Sequence, residues 1–346
     1  MVATHGSAGG KAEPLIPFPK SAFAGLPVLV TGGYGFIGGN LVRRLVELGA
    51  EVTVVDALMP NTGANCFNLA PVEGRITVHV VNMADQNAMR ELVRGKALVF
   101  NLAGQVSHVD SMSDPYSDLM MNCQGHLGLL EACRKHAPAA KVVFTGTRQQ
   151  YGRPEYLPVD ERHPLRPIDI NGIHKVAGEA YHMLYRQCYG LRTTSLRLTN
   201  TYGPGQLMRH GRQAFVAWLI RRSMDGEQIE LFGDGRQMRD FTYVDDVVEA
   251  LLVVAHRPEA DGEVFNLSGE RPYSLREFAD ILLSVVGGGS YRCVPFPEER
   301  SQIDIGSYYA DCSKITTMLD WQPAVPLREG LLRTVEYYRR FRSYYW

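Results

Sequence analysis

The fold follows from one stretch, Val28-Leu-Val-Thr-Gly-Gly-Tyr-Gly-Phe-Ile-Gly-Gly-Asn40. A short apolar run rich in β-branched residues stops at a cluster of glycines, and apolar residues at helical spacing follow from Leu41 to Leu48. This order predicts a strand, a tight turn and a helix. Glycines let the backbone turn sharply and approach a ligand closely, and the N-terminus of the new helix offers free N–H groups to a pyrophosphate. The stretch therefore predicts a phosphate-binding turn.

A second strand makes this turn specific for a dinucleotide. The run Glu51–Val55 ends at Asp56, which stands at the distance where a carboxylate takes the ribose hydroxyls of an adenosine. Ala57 and Leu58 follow, so no arginine is available there for a 2′-phosphate. We therefore expect NAD rather than NADP as the cofactor.

The rest of the first half alternates strands with helices. Strands are predicted over residues 76–81, 97–102, 141–145 and 193–198, and helices over 115–136 and 171–189. This alternation with short connections predicts a doubly wound α/β fold with a mostly parallel sheet. Ligands of such sheets bind beyond the carboxyl ends of the strands, where Asn82, Met83 and Ala103 also fall.

Composition narrows the class of function. The 346 residues carry a formal net charge of −1, which predicts neither a nucleic-acid partner nor a membrane partner. No apolar stretch reaches the ~18–20 residues of a membrane span. The six cysteines form no C-x-x-C pair, and most stand in apolar patterns, so we expect reduced core thiols. These features predict a cytoplasmic protein without a bound metal.

The chain divides into three predicted parts. Residues 1–25 are rich in Gly, Ala, Ser and Pro, and we expect a flexible tail there. Residues 26–199 form the predicted dinucleotide-binding domain. Residues 200–346 have a looser pattern that predicts a smaller lobe, although helical and strand-like pieces within 240–270 are expected to return to the first domain.

From residue 25 onward, the motifs together resemble one family. They are, in chain order, Thr31-Gly-Gly-Tyr-Gly-Phe-Ile-Gly38, Asp56, Asn101-Leu-Ala-Gly-Gln105, Asn122, the segment 145–152, Lys175, Leu196-Arg-Leu-Thr-Asn-Thr-Tyr-Gly-Pro204, Phe232-Gly-Asp-Gly235, Arg239-Asp-Phe-Thr-Tyr-Val-Asp-Asp246 and Glu263-Val-Phe-Asn-Leu267. This chain resembles the extended short-chain dehydrogenase/reductases of the nucleotide-sugar epimerase/dehydratase type, with UDP-glucose 4-epimerase among them. The resemblance implies a Rossmann domain that binds NAD and a lobe that binds a nucleotide-diphosphate sugar.

The resemblance also assigns binding roles residue by residue. The implied cofactor residues are Gly32, Gly35, Phe36, Ile37, Gly38, Asp56, Asn82, Met83, Leu102, Ala103, Asn122 and Lys175. The implied substrate residues are Gln105, Thr147, Asn200, Arg239 and Arg300, and the last three match groups that hold the pyrophosphate. Guanidinium groups suit this task because their paired N–H donors match phosphate oxygens. Surface ion pairs for the two arginines, and a turn cap for Asn200, are the alternatives.

The catalytic residues implied by the resemblance are incomplete. Relatives use a Ser or Thr, a Tyr, and a Lys four residues after that Tyr, a spacing that places both side chains on one helix face. Thr147 and Lys175 match, but residue 171 is Asn, and an amide cannot act as a general base. Asn171 leaves three interpretations open: a redox enzyme with another proton acceptor, a silent protein that only binds NAD and a nucleotide sugar, or a substitution introduced into the chain.

Several groups could take over the proton in the first interpretation. They are Lys175 with a depressed pKa, His174, His108, or a water held by Asn171 and Thr147. None of them is selected by the sequence.

The reaction type is narrowed by the two residues after Thr147. Sugar 4,6-dehydratases of this family have an Asp-Glu pair there, whereas this chain has Arg148 and Gln149. We therefore predict an NAD-dependent epimerase that oxidises the sugar transiently, at C4, and reduces it again. A nucleotide-sugar oxidoreductase or an unusual dehydratase is the alternative. By analogy with relatives, the helices at 115–136 and 171–189 would form a homodimer.

Overall fold

The computed structural model describes residues 18–60, 62–209, 211 and 214–346, except for the side chains of Lys20, Glu299 and Arg300. The strands are, in chain order, β1 (Pro27–Thr31), β2 (Glu51–Asp56), β3 (Thr77–Val80), β4 (Leu98–Asn101), β5 (Lys141–Thr147), β6 (Arg192–Leu198), β7 (Asn200–Tyr202), β8 (Ile229–Phe232), β9 (Met238–Arg239), β10 (Phe241–Tyr243), β11 (Val264–Asn266), β12 (Tyr273–Ser274) and β13 (Tyr291–Val294). The helices are α1 (Phe36–Glu47), α2 (Gln86–Leu92), α3 (His108–Ser113), α4 (Pro115–Leu119), α5 (Gly125–His136), α6 (Ile170–Tyr189), α7 (Phe215–Met224), α8 (Val244–His256), α9 (Leu275–Val286), α10 (Glu298–Ser301), α11 (Ser313–Leu319) and α12 (Leu327–Phe341).

Seven strands form a central sheet in the order β11-β6-β5-β4-β1-β2-β3. Every pair of neighbours in this sheet is parallel. The inner strands β1 and β4 are buried at every residue except Pro27, as expected for strands rich in β-branched and apolar residues that helices cover on both faces. The predicted doubly wound α/β fold is therefore confirmed.

The predicted helices and strands are present, with boundaries shifted by one or two residues. Strand β5 continues to Thr147, beyond the predicted end at residue 145, because Gly146 and Thr147 still pair with β6. The predicted helix 115–136 is interrupted by a π-helical turn at Met120–Gln124, between α4 and α5. Neither feature is visible as a change in hydrophobic periodicity.

The second half of the chain contributes to the central sheet. Strand β11 extends the sheet at its β6 edge, and α8 packs between α1 and the strands β5 and β6. The remaining short strands pair as β10 with β7, β12 with β9 and β13 with β8. The division into a domain at 26–199 and a lobe at 200–346 stays a proposal.

Two other expectations concern the termini and the cysteines. Residues 1–17 of the predicted tail lie outside the described residues, whereas Phe18 and Phe23 are buried with their rings edge to face. All six cysteines are free thiols, but only Cys123 and Cys133 are buried, so the expectation of core thiols is wrong for the rest. No helix in the described ranges has the length and apolar character needed to cross a bilayer.

Candidate active site

One cavity of about 590 Å³ opens at the carboxyl ends of the central strands. Its walls combine the turn after β1, the ends of β2, β4 and β5, the first turns of α6, and segments of the second half. Parallel strands bring these ends to one edge of the sheet, which is why residues distant in sequence meet there.

The turn after β1 forms a close cradle in this cavity. A Cβ atom at Gly38 would lie 2.1 Å from the carbonyl oxygen of Gly32, and one at Gly35 would lie 3.1 Å from the same oxygen. Gly32 has a φ of +72°, and a Cβ there would lie 2.9 Å from Ala103. Helix α1 starts immediately afterwards without a side-chain cap, so its first N–H groups are free for an anion. The cradle fits the pyrophosphate of a dinucleotide.

Asp56 ends β2 on the wall of the same cavity. Its Oδ2 accepts a hydrogen bond from the N–H of Tyr34 (3.0 Å) and its Oδ1 accepts one from the N–H of Leu58 (2.9 Å). Burial raises the pKa of Asp56, and these two N–H donors oppose that rise. The carboxylate is therefore held in a fixed orientation beside the glycine turn, where a ribose can donate to its remaining lone pairs.

Further predicted cofactor residues line the cavity around this turn. They are Phe36, Ile37, Asn82, Met83, Leu102 and Ala103. The N–H groups of Leu102 and Ala103 both donate to Oγ1 of Thr31, at 3.1 Å each. These bonds hold the segment after β4 against the glycine turn.

Thr147 and Lys175 lie in the same cavity. Lys175 is buried, and its Nζ donates to the carbonyl oxygen of Thr145 at 3.3 Å. Burial lowers the pKa of Lys175 to about 8, although the negative charge of Asp118 acts in the opposite direction. Thr147 caps a short 3-10 turn and remains half-buried.

Asn171 occupies the helix position four residues before Lys175 and is almost fully buried. Its Nδ2 donates to the carbonyl oxygen of Gln105 (2.8 Å) and to Oδ2 of Asp118 (3.0 Å). Its backbone N–H donates to Oγ of Ser111 at 3.2 Å. The amide thus ties helix α6 to the loop before α3 and to a buried carboxylate.

The two candidate histidines have different surroundings. His174 places its Nδ1 2.6 Å from Oδ1 of Asp118, and it does not line the cavity. His108 does line the cavity, and its Nδ1 lies 3.2 Å from Oδ2 of Asp169. Of the two, only His108 faces the predicted reaction site.

Asn200 and Arg239 bring the second half of the chain to the cavity wall. Nδ2 of Asn200 donates to the carbonyl oxygen of Asp240 at 2.8 Å. The guanidinium of Arg239 donates to the carbonyl oxygen of Met238 (2.9 Å) and lies 3.5 Å from Oδ1 of Asp304. Burial, and secondarily the charge of Arg148, lower the pKa of Arg239 to about 10.

Three predicted site residues are not placed on this wall. Oε1 of Gln105 accepts from the N–H groups of Val106 (2.7 Å) and Ser107 (3.1 Å), so this side chain folds back on its own loop. Asn122 lies behind the cavity and donates to the carbonyl oxygen of Gln105 at 3.0 Å. The side chain of Arg300 lies outside the described residues.

Sequence reasoning missed the two buried carboxylates that organise the site. Asp118 receives hydrogen bonds from Asn122 (3.0 Å) and Asn171 (3.0 Å). Asp169 caps α6 by accepting from the N–H of Gly172 at 2.6 Å. The cap could have been found from an Asp that precedes the helical pattern, but the burial of Asp118 carries no sequence signal.

The sequence profile of the NAD dependent epimerase/dehydratase family matches residues 28–268, which is well over half of the chain. This chain belongs to that family. The family match and the glycine cradle agree on NAD as the cofactor. The predicted cofactor class is therefore confirmed.

The relatives of this chain within the family are named for different reactions. The chain is 34% identical over 313 residues to the UDP-glucose 4-epimerase of Mycolicibacterium smegmatis, covering 90% of this chain and 98% of that protein. It is 33% identical over 325 residues to a dTDP-glucose 4,6-dehydratase of Streptomyces griseus, covering 92% and 95%. A crystal structure of UDP-glucose 4-epimerase with UDP-glucose from Thermotoga maritima has a TM-score of 0.83 at 33% identity, covering 91% of this chain and 99% of that one.

Proposed function

We propose that this chain is a nucleotide-sugar 4-epimerase that oxidises a ring hydroxyl and then reduces the ketone on its opposite face. The observation that carries the proposal is the single cavity lined by the glycine turn, by Thr147 and Lys175, and by Asn200 and Arg239. A dinucleotide bound over the glycine turn and a nucleotide sugar held by its diphosphate from the second half of the chain would meet beside Thr147 and Lys175.

Each lining residue has a defined task in this proposal. Bound NAD supplies the reversible hydride acceptor. The hydroxyl of Thr147 hydrogen-bonds the sugar hydroxyl, and Lys175 holds the nicotinamide ribose while keeping a positive charge nearby. Asn200 and Arg239 hold the diphosphate, and we assign the same role to Arg300. Cationic and amide donors suit phosphate oxygens because they donate several hydrogen bonds at once.

The residues after Thr147 favour epimerisation over 4,6-dehydration. Dehydration requires groups that give and take protons at neighbouring carbons, whereas Arg148 and Gln149 cannot exchange protons near neutral pH. Nε2 of Gln149 also donates to the buried Asp169 at 2.7 Å, so this amide is already engaged. Transient oxidation and re-reduction needs no such pair.

The first test is to purify the protein without added cofactor and measure its bound NAD. UDP-, dTDP-, GDP- and CDP-hexoses are then screened by thermal shift, because a ligand of the folded state raises its apparent stability. Hits are incubated and analysed by NMR for an epimerised sugar. We expect NAD to co-purify and the epimer to form without net NADH. Net release of NADH would favour the oxidoreductase, and binding without conversion would favour the silent binding protein.

The second test is Lys175→Met, which removes the cation and keeps an apolar chain of similar length. We expect turnover to fall by at least about 10²-fold, as for the loss of a group that stabilises charge in the transition state. Lys96→Met is the matched control, since Lys96 is partly buried against Thr53 and lies outside the cavity. Turnover within threefold of wild type for Lys175→Met would remove this lysine from the mechanism.

A further inference from the structure

We propose that His108, oriented by Asp169, is the acid–base residue that moves the proton of the sugar hydroxyl. The inference rests on the proposed function, because it assigns the proton step of the same reaction. In this proposal, an imidazole on α3 does the work of the tyrosine that the family resemblance implies at position 171.

The first support is position. His108 is the first residue of α3 and lines the cavity together with Thr147, Asn171 and Lys175. The first turns of α3 and α6 pack against each other, since the N–H of Asn171 donates to Oγ of Ser111. The imidazole therefore stands beside the helix turn on which relatives carry their tyrosine.

The second support is the orientation of the imidazole ring. Nδ1 is buried and lies 3.2 Å from Oδ2 of Asp169, a close contact between the ring and a carboxylate that lacks the geometry of a regular hydrogen bond. Nε2 makes no hydrogen bond to any described residue and is not among the buried unpartnered atoms, so it is accessible. The His108 side chain as a whole is 26% exposed.

The third support is the state of Asp169. Burial opposes its ionisation, but contacts from His108, Gly172 and Gln149 outweigh burial and lower the pKa of Asp169. An ionised carboxylate beside Nδ1 favours the tautomer that carries its proton there. In that tautomer, Nε2 carries the lone pair of the neutral ring.

The other candidates are engaged elsewhere. The Nδ1 of His174 contacts Asp118 outside the cavity. The Nζ of Lys175 donates to the carbonyl oxygen of Thr145 at 3.3 Å, and the proposed function assigns its cation to the nicotinamide ribose. Asn171 uses its two amide hydrogens on Asp118 and on the carbonyl of Gln105. This amide is a positioning residue, because it fixes the loop that leads into His108.

The proton step balances in both directions. In the oxidation, the alcohol O–H bond breaks and its proton goes to Nε2 of His108. The C–H bond breaks and its hydrogen leaves with both electrons as hydride to the nicotinamide, while a C=O bond forms. After the ketone has turned over, hydride returns to its other face and Nε2 gives the proton back to the oxygen. No other oxidant or proton donor is consumed.

The test compares His108→Gln with His174→Gln in the NAD-loaded enzyme. Both variants remove an imidazole that contacts a buried carboxylate, but only His108 lines the cavity. We expect His108→Gln to lower kcat by about 10²–10⁴-fold, the usual contribution of a general acid–base, with bound NAD and nucleotide-sugar affinity within threefold of wild type. His174→Gln should keep kcat within threefold.

A second variant separates a chemical role from a structural one. Free imidazole should raise the turnover rate of His108→Ala at least tenfold. Substituted imidazoles should raise it further as their basicity increases. Full activity in His108→Gln, or a slow His108→Ala that no imidazole rescues, would overturn the role of His108 and leave the epimerase proposal standing. A wild-type protein that binds nucleotide sugars without turning them over would overturn both.

Discussion

At the scale of single residues, position 171 shows how one amide changes both structure and chemistry. Asn171 donates to Asp118 and to the carbonyl of Gln105, two acceptors that a single phenol hydrogen could not satisfy together. The carboxylate of Asp118 is fully buried, so each donor it receives compensates part of its desolvation. Asn171 is thus part of a buried hydrogen-bond network.

Asn171→Asp tests this network with almost no change in volume. The variant places a second carboxyl group 3.0 Å from that of Asp118 and removes the two N–H donors of the amide. We expect it to lower the free energy of unfolding by about 1–3 kcal/mol at pH 8. Urea denaturation followed by circular dichroism measures the loss.

The same variant has an expected pH dependence. Burial and the neighbouring carboxylate would raise the folded-state pKa of the new acid above its unfolded value of about 3.9. A group shifted in this direction contributes stability below its unfolded pKa and loses it as the pH rises through the folded pKa. The difference in the free energy of unfolding between wild type and variant should therefore be smaller at pH 5 than at pH 8. An equal loss of stability at both pH values would contradict the placement of residue 171 beside the Asp118 carboxyl group.

Among the helices and strands, α6 brings two residues to the cavity wall from its first turns. Asp169 caps its start and Gly190 ends it in the left-handed conformation, with a φ of 70°. Between these two ends, Asn171 and Lys175 are one helical turn apart and both line the cavity. The point at which the helix begins therefore sets which of its residues line the cavity.

Gly190→Ala should destabilise the protein through backbone conformation alone. No heavy atom lies within 4 Å of a Cβ at this position, so the cost is that of an L-residue at positive φ, about 1–2 kcal/mol. Gly128→Ala is the matched opposite, because it lies within α5 and its Cβ would make an ordinary contact of 3.6 Å with Gln86. Alanine there should stabilise by up to about 1 kcal/mol. Urea unfolding midpoints of the two variants that shift in the same direction from the wild-type value would contradict this interpretation.

At the scale of the whole molecule, apolar side chains remain exposed on the neighbouring helices α4, α5 and α6. They are Tyr116, Leu119, Leu127, Ile173 and Leu184. We propose that a second copy of the chain covers them and that the protein is a homodimer. Exposed apolar groups concentrated on one set of packed elements are typical of an interface.

Leu127→Glu combined with Leu184→Glu should convert the dimer into a monomer, because a second copy would have to bury four unpaired carboxylates. Light scattering after gel filtration measures the mass. Leu332→Glu is the control, since Leu332 is also exposed but lies on α12. A monomeric wild type, or an unchanged mass in the double variant, would contradict the proposed interface.

Much of the fold follows from local sequence signals. The strand, glycine turn and helix at 28–48, the carboxylate at Asp56 and the alternation up to β6 each depend on residues close together in the chain. Their periodicity and backbone requirements are local, so the sheet class and the cofactor could be predicted. The end of β5 at Thr147 could not, because it depends on pairing with β6.

Some features of the candidate site likewise follow from the sequence, and others depend on packing. Sequence alone determined which residue types stand at the motif positions, including Thr147, Lys175 and the amide at 171. Packing between helices, in contrast, places His108 on the cavity wall beside Asp169 and His174 outside the cavity against Asp118. The physical reason is that a histidine's role depends on which carboxylate reaches it and which ring nitrogen stays accessible. Those contacts join residues more than fifty positions apart, so packing between helices determines them.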